Sequence, residues 1–384
     1  MNFSAREMLD RLVAFPTVSS DSNLELIAFV RDYLQSHGVS STIVPSPDGN
    51  KANLWATIGP DVAGGIVLSG HTDVVPVAGQ EWSSDPFTVV ERGGKLYGRG
   101  TADMKGFDAL CLALVPDMIK AKLVRPVHIA LSYDEEISCL GAPLMVADMA
   151  ARGLTPSAVI VGEPSRMKVV TGHKGSVQLK TFVRGKAVHS SKPYEGVSAI
   201  LVASRLVGWL DDVMQQNAKR ADGSSPFDPP YTTLHCGMIG GGTAFNITAQ
   251  DCWFSTDIRA IPTETAATYH ERYLAHIDNV VRPAMQAVAP EADIRVEVHA
   301  WVEPLREEVD GAAEALCRRL TGDNGSHVVA YGTEAGIFQA RGWSTVVCGP
   351  GDIAQAHQPD EFIEVAEFER GEAFLRRMIN TLQA

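Results

Sequence analysis

Hydrophobic and polar positions along the chain fall into two regimes. Up to about residue 175, short unbroken apolar runs alternate with stretches of helical spacing. Ile66 to Ser69, Val127 to Ser132 and Ala158 to Val161 are rich in Val, Ile, Leu and Ala, so they predict strands buried on both faces. Met104 to Lys122 carries Leu110, Leu114 and Met118 at helical spacing and predicts a helix. Strand and helix in alternation imply an α/β fold with a mostly parallel sheet covered on both sides.

After Gly175 the pattern changes. Val177, Leu179, Thr181 and Val183 alternate with their neighbours, as in a strand with one wet face. Gly196 to Ala218 reads as a helix, Tyr231 to Ile239 and Cys252 to Arg259 as strands, Thr265 to Ala287 as a second helix, and Ile294 to Val298 as a last strand. The order β-α-β-β-α-β predicts a ferredoxin-like α+β unit. From about Val302 the first regime returns, with a helix at Gly311 to Thr321, a buried strand at Thr345 to Cys348 and a terminal helix at Val365 to Leu382. The simplest organisation is one α/β domain built from residues 1–175 and 301–384, with a second domain, 176–300, inserted into it.

Composition narrows the function. The 384 residues carry a formal net charge of -13, which argues against a nucleic-acid footprint. No apolar run approaches the length of a membrane span. The N-terminal MNFSAREMLDRLVAFPTVSS reads as an amphipathic helix ending near Phe15-Pro16, not as a signal peptide. The six cysteines form no C-x-x-C pair, and their apolar contexts imply reduced, buried thiols in a cytoplasmic protein.

The chemistry sits where the strands end. Ser69-Gly70-His71-Thr72-Asp73 follows the first apolar run, and Asp73 is spaced to accept the second imidazole N–H of His71. Gly98-Arg99-Gly100-Thr101-Ala102-Asp103 leads a carboxylate to the start of a helix. Ser132-Tyr133-Asp134-Glu135-Glu136 ends another buried run in three consecutive acids, and Gly162-Glu163-Pro164 ends a third. Gly349 to Glu361 follows the last strand and contains His357. Singly, these are an ordinary turn, a helix N-cap, a solvated acidic loop and a lone histidine. Together, His71, Asp103, Glu136, Glu163 and His357 converge on the face where open α/β sheets hold ligands. Two imidazoles and three carboxylates suit two divalent ions of the zinc class, cobalt or manganese being alternatives, with one carboxylate shared. Glu135 is then free to move a proton.

These blocks resemble the M20 family of metallopeptidases and deacylases. GHTDVVP, GRGTADMKG, SYDEE, GEPS and AHQPDE match the family's five blocks in order over nearly the whole chain. The resemblance implies a zinc-dependent amidohydrolase in which His71 and Glu163 hold one ion, Glu136 and His357 the other, and Asp103 bridges. It also implies that Asp73 orients His71, that Glu135 is general base and then general acid, and that a cis peptide follows Asp103. The inserted domain would be a lid through which two copies dimerise. Its His189, in Gly185-Lys186-Ala187-Val188-His189-Ser190, would donate to the oxyanion, often in the partner subunit's site. Asn246 and Arg259 would bind a substrate carboxylate, assisted by Lys174.

Within the family, His173-Lys174-Gly175, Tyr331-Gly332-Thr333-Glu334-Ala335-Gly336 and Gly349-Pro350-Gly351-Asp352-Ile353 resemble the branch that deacetylates N-acetylornithine. Asn246-Ile247-Thr248-Ala249 departs from it, since many relatives carry Pro at the last position. Thr333 and Glu334 are therefore candidates for the substrate, Glu334 to meet the side-chain ammonium of an acetylornithine-like molecule. The rivals are an aminoacylase, a desuccinylase or a carboxypeptidase-like enzyme of the same fold, and a binding protein that has lost catalysis. The last would be expected to lack a ligand or the base, and all six positions are present here.

Overall fold

The computed structural model describes residues 1–221 and 223–383. They form two compact units. The larger comprises residues 1–172, 305–327 and 333–384, and the smaller residues 173–304 and 328–332.

The larger unit is built on a sheet that includes, in spatial order, Ser41–Pro45, Ala52–Ile58, Val127–Ser132, Ile66–His71, Ala158–Pro164 and Thr345–Gly349. The last four run parallel to one another, and the first two are antiparallel additions at one side. All four parallel strands are buried along their length, which is why they read as continuous apolar runs. Ile66, Leu68, Ile129, Ile160, Val346 and Cys348 join one core cluster with the helices Ala5–Val13, Leu24–Ser36, Lys105–Ala113, Ala312–Thr321 and Val365–Thr381. The alternate positions Val67, Val159, Val161 and Val347 are equally buried and by the period of two face the other side. There the helices Ala142–Ala151 and Ala335–Ala340 pack on the sheet.

Two glycines let one helix settle directly on the strands. A Cβ at Gly70 would lie 2.1 Å from Asp108 Oδ1, and one at Gly162 would lie 2.0 Å from the Phe107 ring. Both partners sit on the helix Lys105–Ala113. That close approach carries Asp103, two residues ahead of the helix, up against the ends of the two strands. The expected helix from Met104 to Lys122 is broken into Lys105–Ala113 and Val115–Lys120. Pro116 supplies no N–H and its ring would collide with the Leu112 carbonyl, so the helix restarts there.

In the smaller unit the strands are ordered Thr233–His235, Asp251–Ala260, Gly175–Arg184, Asp293–Val302, all antiparallel, with Ile239–Gly241 also pairing Asp251–Ala260. Val177, Leu179 and Val183 face a core shared with Phe254, Ile258, Leu206, Leu210 and Tyr273. The helix Ala199–Arg220 starts at Ser198, whose hydroxyl accepts from the Leu201 N–H. Two elements differ from expectation. The strand read from Tyr231 to Ile239 is interrupted at Cys236-Gly237-Met238. The helix read from Thr265 to Ala287 widens into a π turn at Ile277–Val281 ahead of Pro283, which removes a ladder hydrogen bond.

Candidate metal centre

His71 is the last residue of its strand and lies in register with Ser132, the last of the next. Glu135 and Glu136 follow Ser132 by three and four residues. Glu163 is the sixth residue of Ala158–Pro164, and His357 lies in the loop beyond Thr345–Gly349. Three of these strands thus deliver His71, Glu136 and Glu163 at or just past their C-terminal ends, whereas His357 sits deep in the loop that follows the fourth. Asp103 lies just ahead of a helix, as its sequence context predicts, and its peptide bond to Met104 is cis, as the resemblance implies.

Distances sort the five into two groups. His71 Nε2 is 3.1 Å from Asp103 Oδ1 and 3.7 Å from Glu163 Oε1. His357 Nε2 is 3.3 Å from Asp103 Oδ2 and 2.9 Å from Glu136 Oε2. Asp103 therefore turns one oxygen to each imidazole–carboxylate pair. Glu135 also stands near the first pair, since His71, Glu135 and Glu163 each present a ligand atom within 4.8 Å of the others. It differs in one respect: Glu135 Oε1 accepts from the Cys139 thiol at 3.3 Å, whereas Glu136 Oε1 and Glu163 Oε1 are buried with no hydrogen-bond partner.

One nitrogen of His71 is committed away from the cluster. Its Nδ1 lies 2.9 Å from the Asp73 backbone carbonyl, which can only accept, so Nδ1 carries a hydrogen, and Nε2, 3.1 Å from Asp103 Oδ1, is the atom that would meet a metal ion. The expected partner was the Asp73 carboxylate, and that is corrected: it stands 3.6 Å from His71 Nδ1 and is committed elsewhere. Its Oδ1 accepts from the Glu135 N–H at 3.1 Å, and its Oδ2 from the Glu136 N–H at 3.2 Å and the Ser19 hydroxyl at 2.6 Å. Asp73 thus sets the backbone that aims both glutamates. The third acid of that run, Asp134, is paired with Lys51 and so does not enter the cluster.

Four buried carboxylates face two imidazoles, and the protonation equilibria reflect the imbalance. Burial pushes Glu135 up to about 8 and Glu136 up to about 7, with their neighbours' negative charge adding to it. Glu163 is driven up in the same way, first by burial and then by Asp103 and Glu135. Asp103 opposes its own burial through its contacts with His357 and His71 and is held below the usual carboxylate range. His357 is raised to about 10 by its contacts with Asp103 and Glu136. Like charges gathered out of water need a compensating cation. Oxygen and imidazole donors in this ratio, with two orphaned carboxylate oxygens, fit divalent ions of the zinc class.

The substrate candidates divide. Arg259 is partly exposed and its Nε donates to Asp257 at 2.9 Å, while Asn246 and His189 are exposed. Lys174 is buried, its ammonium consumed by the carbonyls of Pro229 at 2.8 Å and Tyr231 at 3.0 Å, and Thr333 is buried with its hydroxyl accepting from Ala335 N–H. Glu334 is 0% exposed, and its two oxygens accept from Ser69 Oγ at 2.6 Å and Ser132 Oγ at 2.7 Å. The expectation that Glu334 meets a substrate ammonium is therefore corrected: it braces the ends of two parallel strands from beneath. Glu334→Gln is expected to change turnover of ornithine and methionine derivatives by the same factor. Glu334→Ala should destabilise the fold, each stranded hydroxyl costing about 1–3 kcal/mol. Selective loss on the ornithine derivative, with unfolding unaffected, would restore the substrate role.

Sequence reasoning passed over several residues that the structure draws in, among them Ser19, Cys139, Arg99 and Glu361. Arg99 and Glu361 lie inside blocks already singled out, yet they pair across 262 positions, which no local pattern displays.

Residues 67–381 match the model of peptidase family M20/M25/M40. The chain is 35% identical over 383 residues to an acetylornithine deacetylase of Proteus mirabilis, covering 97% of this chain and 95% of that one. Among solved structures, an M20 metallo-carboxypeptidase from Sulfolobus solfataricus superposes with a TM-score of 0.76 at 18% identity, covering 98% of this chain and 99% of that one. A Bacillus subtilis protein described as a dinuclear metal binding peptidase of the family gives a TM-score of 0.64 at 14% identity, covering 98% and 97%. The chain belongs to the M20/M25/M40 peptidase family and is a metal-dependent amidohydrolase.

Proposed function

We propose that the chain hydrolyses the amide bond of an N-acyl amino acid, with N-acetylornithine as substrate and ornithine and acetate as products, a step of arginine biosynthesis. The observation that carries the reading is Asp103, whose two oxygens face two separate imidazole–carboxylate pairs. His71 and Glu163 would hold one divalent ion, His357 and Glu136 a second, and Asp103 both, zinc being the first choice. The choice of acyl amino acid leans on the 35% identical relative.

When bound, such ions supply Lewis acidity for the amide carbonyl and acidify a water. The chain's own residues manage the protons. Glu135 takes one from the attacking water as its oxygen bonds to the carbonyl carbon, and returns it to the nitrogen as the C–N bond breaks. Its upward shift runs in the direction a general base near neutrality needs. Asp73 and Cys139 keep its carboxylate aimed, through a backbone N–H and a thiol.

His189 is suited to the developing oxyanion. Ser191 N–H donates to its Nδ1 at 3.2 Å, so the hydrogen sits on Nε2, free to donate. Arg259 and Asn246 would bind the substrate carboxylate. The smaller unit would act as lid and as the surface joining two copies, a role consistent with the exposed Leu201, Phe245 and Ile247. Six free cysteines accord with a reducing cytoplasm, and among the described residues no helix is long and apolar enough to cross a membrane.

The test is a deacylation assay comparing N-acetylornithine, N-succinyl-diaminopimelate and N-acetylmethionine, with and without chelator. The expected result is the highest kcat/KM on N-acetylornithine, loss of all turnover on chelation, and recovery on adding zinc or cobalt. A preference for either other substrate would reassign the enzyme within its family. Turnover that survives full chelation would remove the metal reading.

A further inference from the structure

The fully buried ion pair Arg99–Glu361 lies outside the ligand set, yet it holds two of the ligands. Both side chains are 1% exposed, and Arg99 Nη1 donates to Glu361 Oε2 at 2.7 Å. The other carboxylate oxygen, Oε1, accepts three backbone N–H groups, from Gly100 at 3.1 Å, Ala102 at 2.9 Å and Asp103 at 3.1 Å. A carboxylate that gathers three consecutive-turn amides fixes the shape of the loop it spans. The last of the three amides belongs to the shared ligand itself.

The same pair reaches the other side. Arg99 Nη2 donates to Gln80 Oε1 at 2.6 Å, and Gln80 Nε2 donates to the His357 backbone carbonyl at 3.0 Å. Arg99 Nη1 also lies 3.3 Å from the carbonyl of Gln358. Immediately after Glu361, the strand Phe362–Glu364 pairs antiparallel with Lys95–Tyr97, which leads into the Asp103 loop. The loops carrying Asp103 and His357 are thereby fastened to one another. No strand of the main sheet contributes Asp103, and His357 lies eight residues beyond Gly349. These are the two ligands that the sheet does not place, so something else must set their separation.

We propose that Glu361 is a positioning residue for the second ion: with Arg99 and Gln80 it sets the distance between Asp103 and His357. This rests on the two-ion reading above. Removing such an outer partner of a metal ligand ordinarily weakens binding by about 10–100-fold. The weakening should fall on the site of Glu136 and His357, and spare that of His71 and Glu163, whose strands are fixed by the sheet.

The test uses Co²⁺ on the full-length metal-free protein, comparing wild type with Glu361→Gln. Gln is the same size but can offer its single oxygen either to the loop amides or to Arg99. Binding is followed by calorimetry and by the spin coupling of paired Co²⁺ in electron paramagnetic resonance. Wild type should take up two ions and show coupling. Glu361→Gln should bind the first ion as wild type does, bind the second about 10–100-fold more weakly, and lose coupling at one equivalent of the second. Thermal unfolding of both metal-free proteins separates this from a general loss of fold. If Glu361→Gln does not fold, Gln80→Ala decides, since Gln80 is only partly buried: a weakened second ion supports the clamp and an unchanged one overturns it. Wild type binding fewer than two ions overturns the two-ion reading and the clamp with it. Wild type binding two, with Glu361→Gln binding both as tightly and still coupled, overturns the clamp alone.

Discussion

Glu135→Gln is expected to lower kcat by about 100- to 10,000-fold, with KM little changed and the metal content intact. The substitution keeps the size of the side chain and an oxygen that can accept from the Cys139 thiol, so the loop should hold its shape. What it removes is the ability to carry a proton from water to the leaving nitrogen. The measurement also settles a question that the geometry raises. Glu135 lies within 4.8 Å of the ligand atoms of His71 and Glu163 and could serve as a ligand instead. Those roles predict different outcomes. Loss of turnover at full metal occupancy makes Glu135 the proton carrier. Loss of one ion along with turnover makes it a ligand, and unchanged turnover removes it from the chemistry.

The sequence was most informative where local pattern and chemistry coincide. Strands buried on both faces announce themselves as unbroken apolar runs, and the polar residue that ends each run marks the ligand crevice. His71, Glu136 and Glu163 were legible in that way. Asp103 and His357 were legible as chemistry but not as geometry. One precedes a helix and the other sits deep in a loop, and the contacts that hold them come from residues hundreds of positions away. Glu334 shows the opposite failure. Its carboxylate in a segment that distinguishes branches of the family read as a specificity determinant, but burial and two serine hydroxyls make it a brace. Burial of a carboxylate depends on what the rest of the chain stacks over it, and no spacing rule carries that. Asp73 lies between these cases. Its closeness to His71 was readable, whereas its preference for the amides of Glu135 and Glu136 over the imidazole required the register of Ile66–His71 against Val127–Ser132.

The largest effect on the centre should come from Asp103. Its two oxygens face one imidazole–carboxylate pair each, and it is the carboxylate that contacts with His71 and His357 hold ionised against its own burial. Asp103→Ala deletes both oxygens at once. It is expected to lose both ions in dialysis against micromolar zinc, and turnover should fall to that of the chelated wild type, a larger loss than for Glu135→Gln. Asp103→Asn separates the two halves of the bridge. The amide keeps one oxygen and presents a nitrogen that cannot bind a cation, so one ion per chain should remain, measured by elemental analysis after dialysis. The two variants together distinguish a shared ligand from a residue that serves a single ion. A carboxylate serving one ion would leave the other in place in Asp103→Ala, and full retention of both ions would mean that the pairs are independent and that Asp103 joins them only through hydrogen bonds to the two imidazoles.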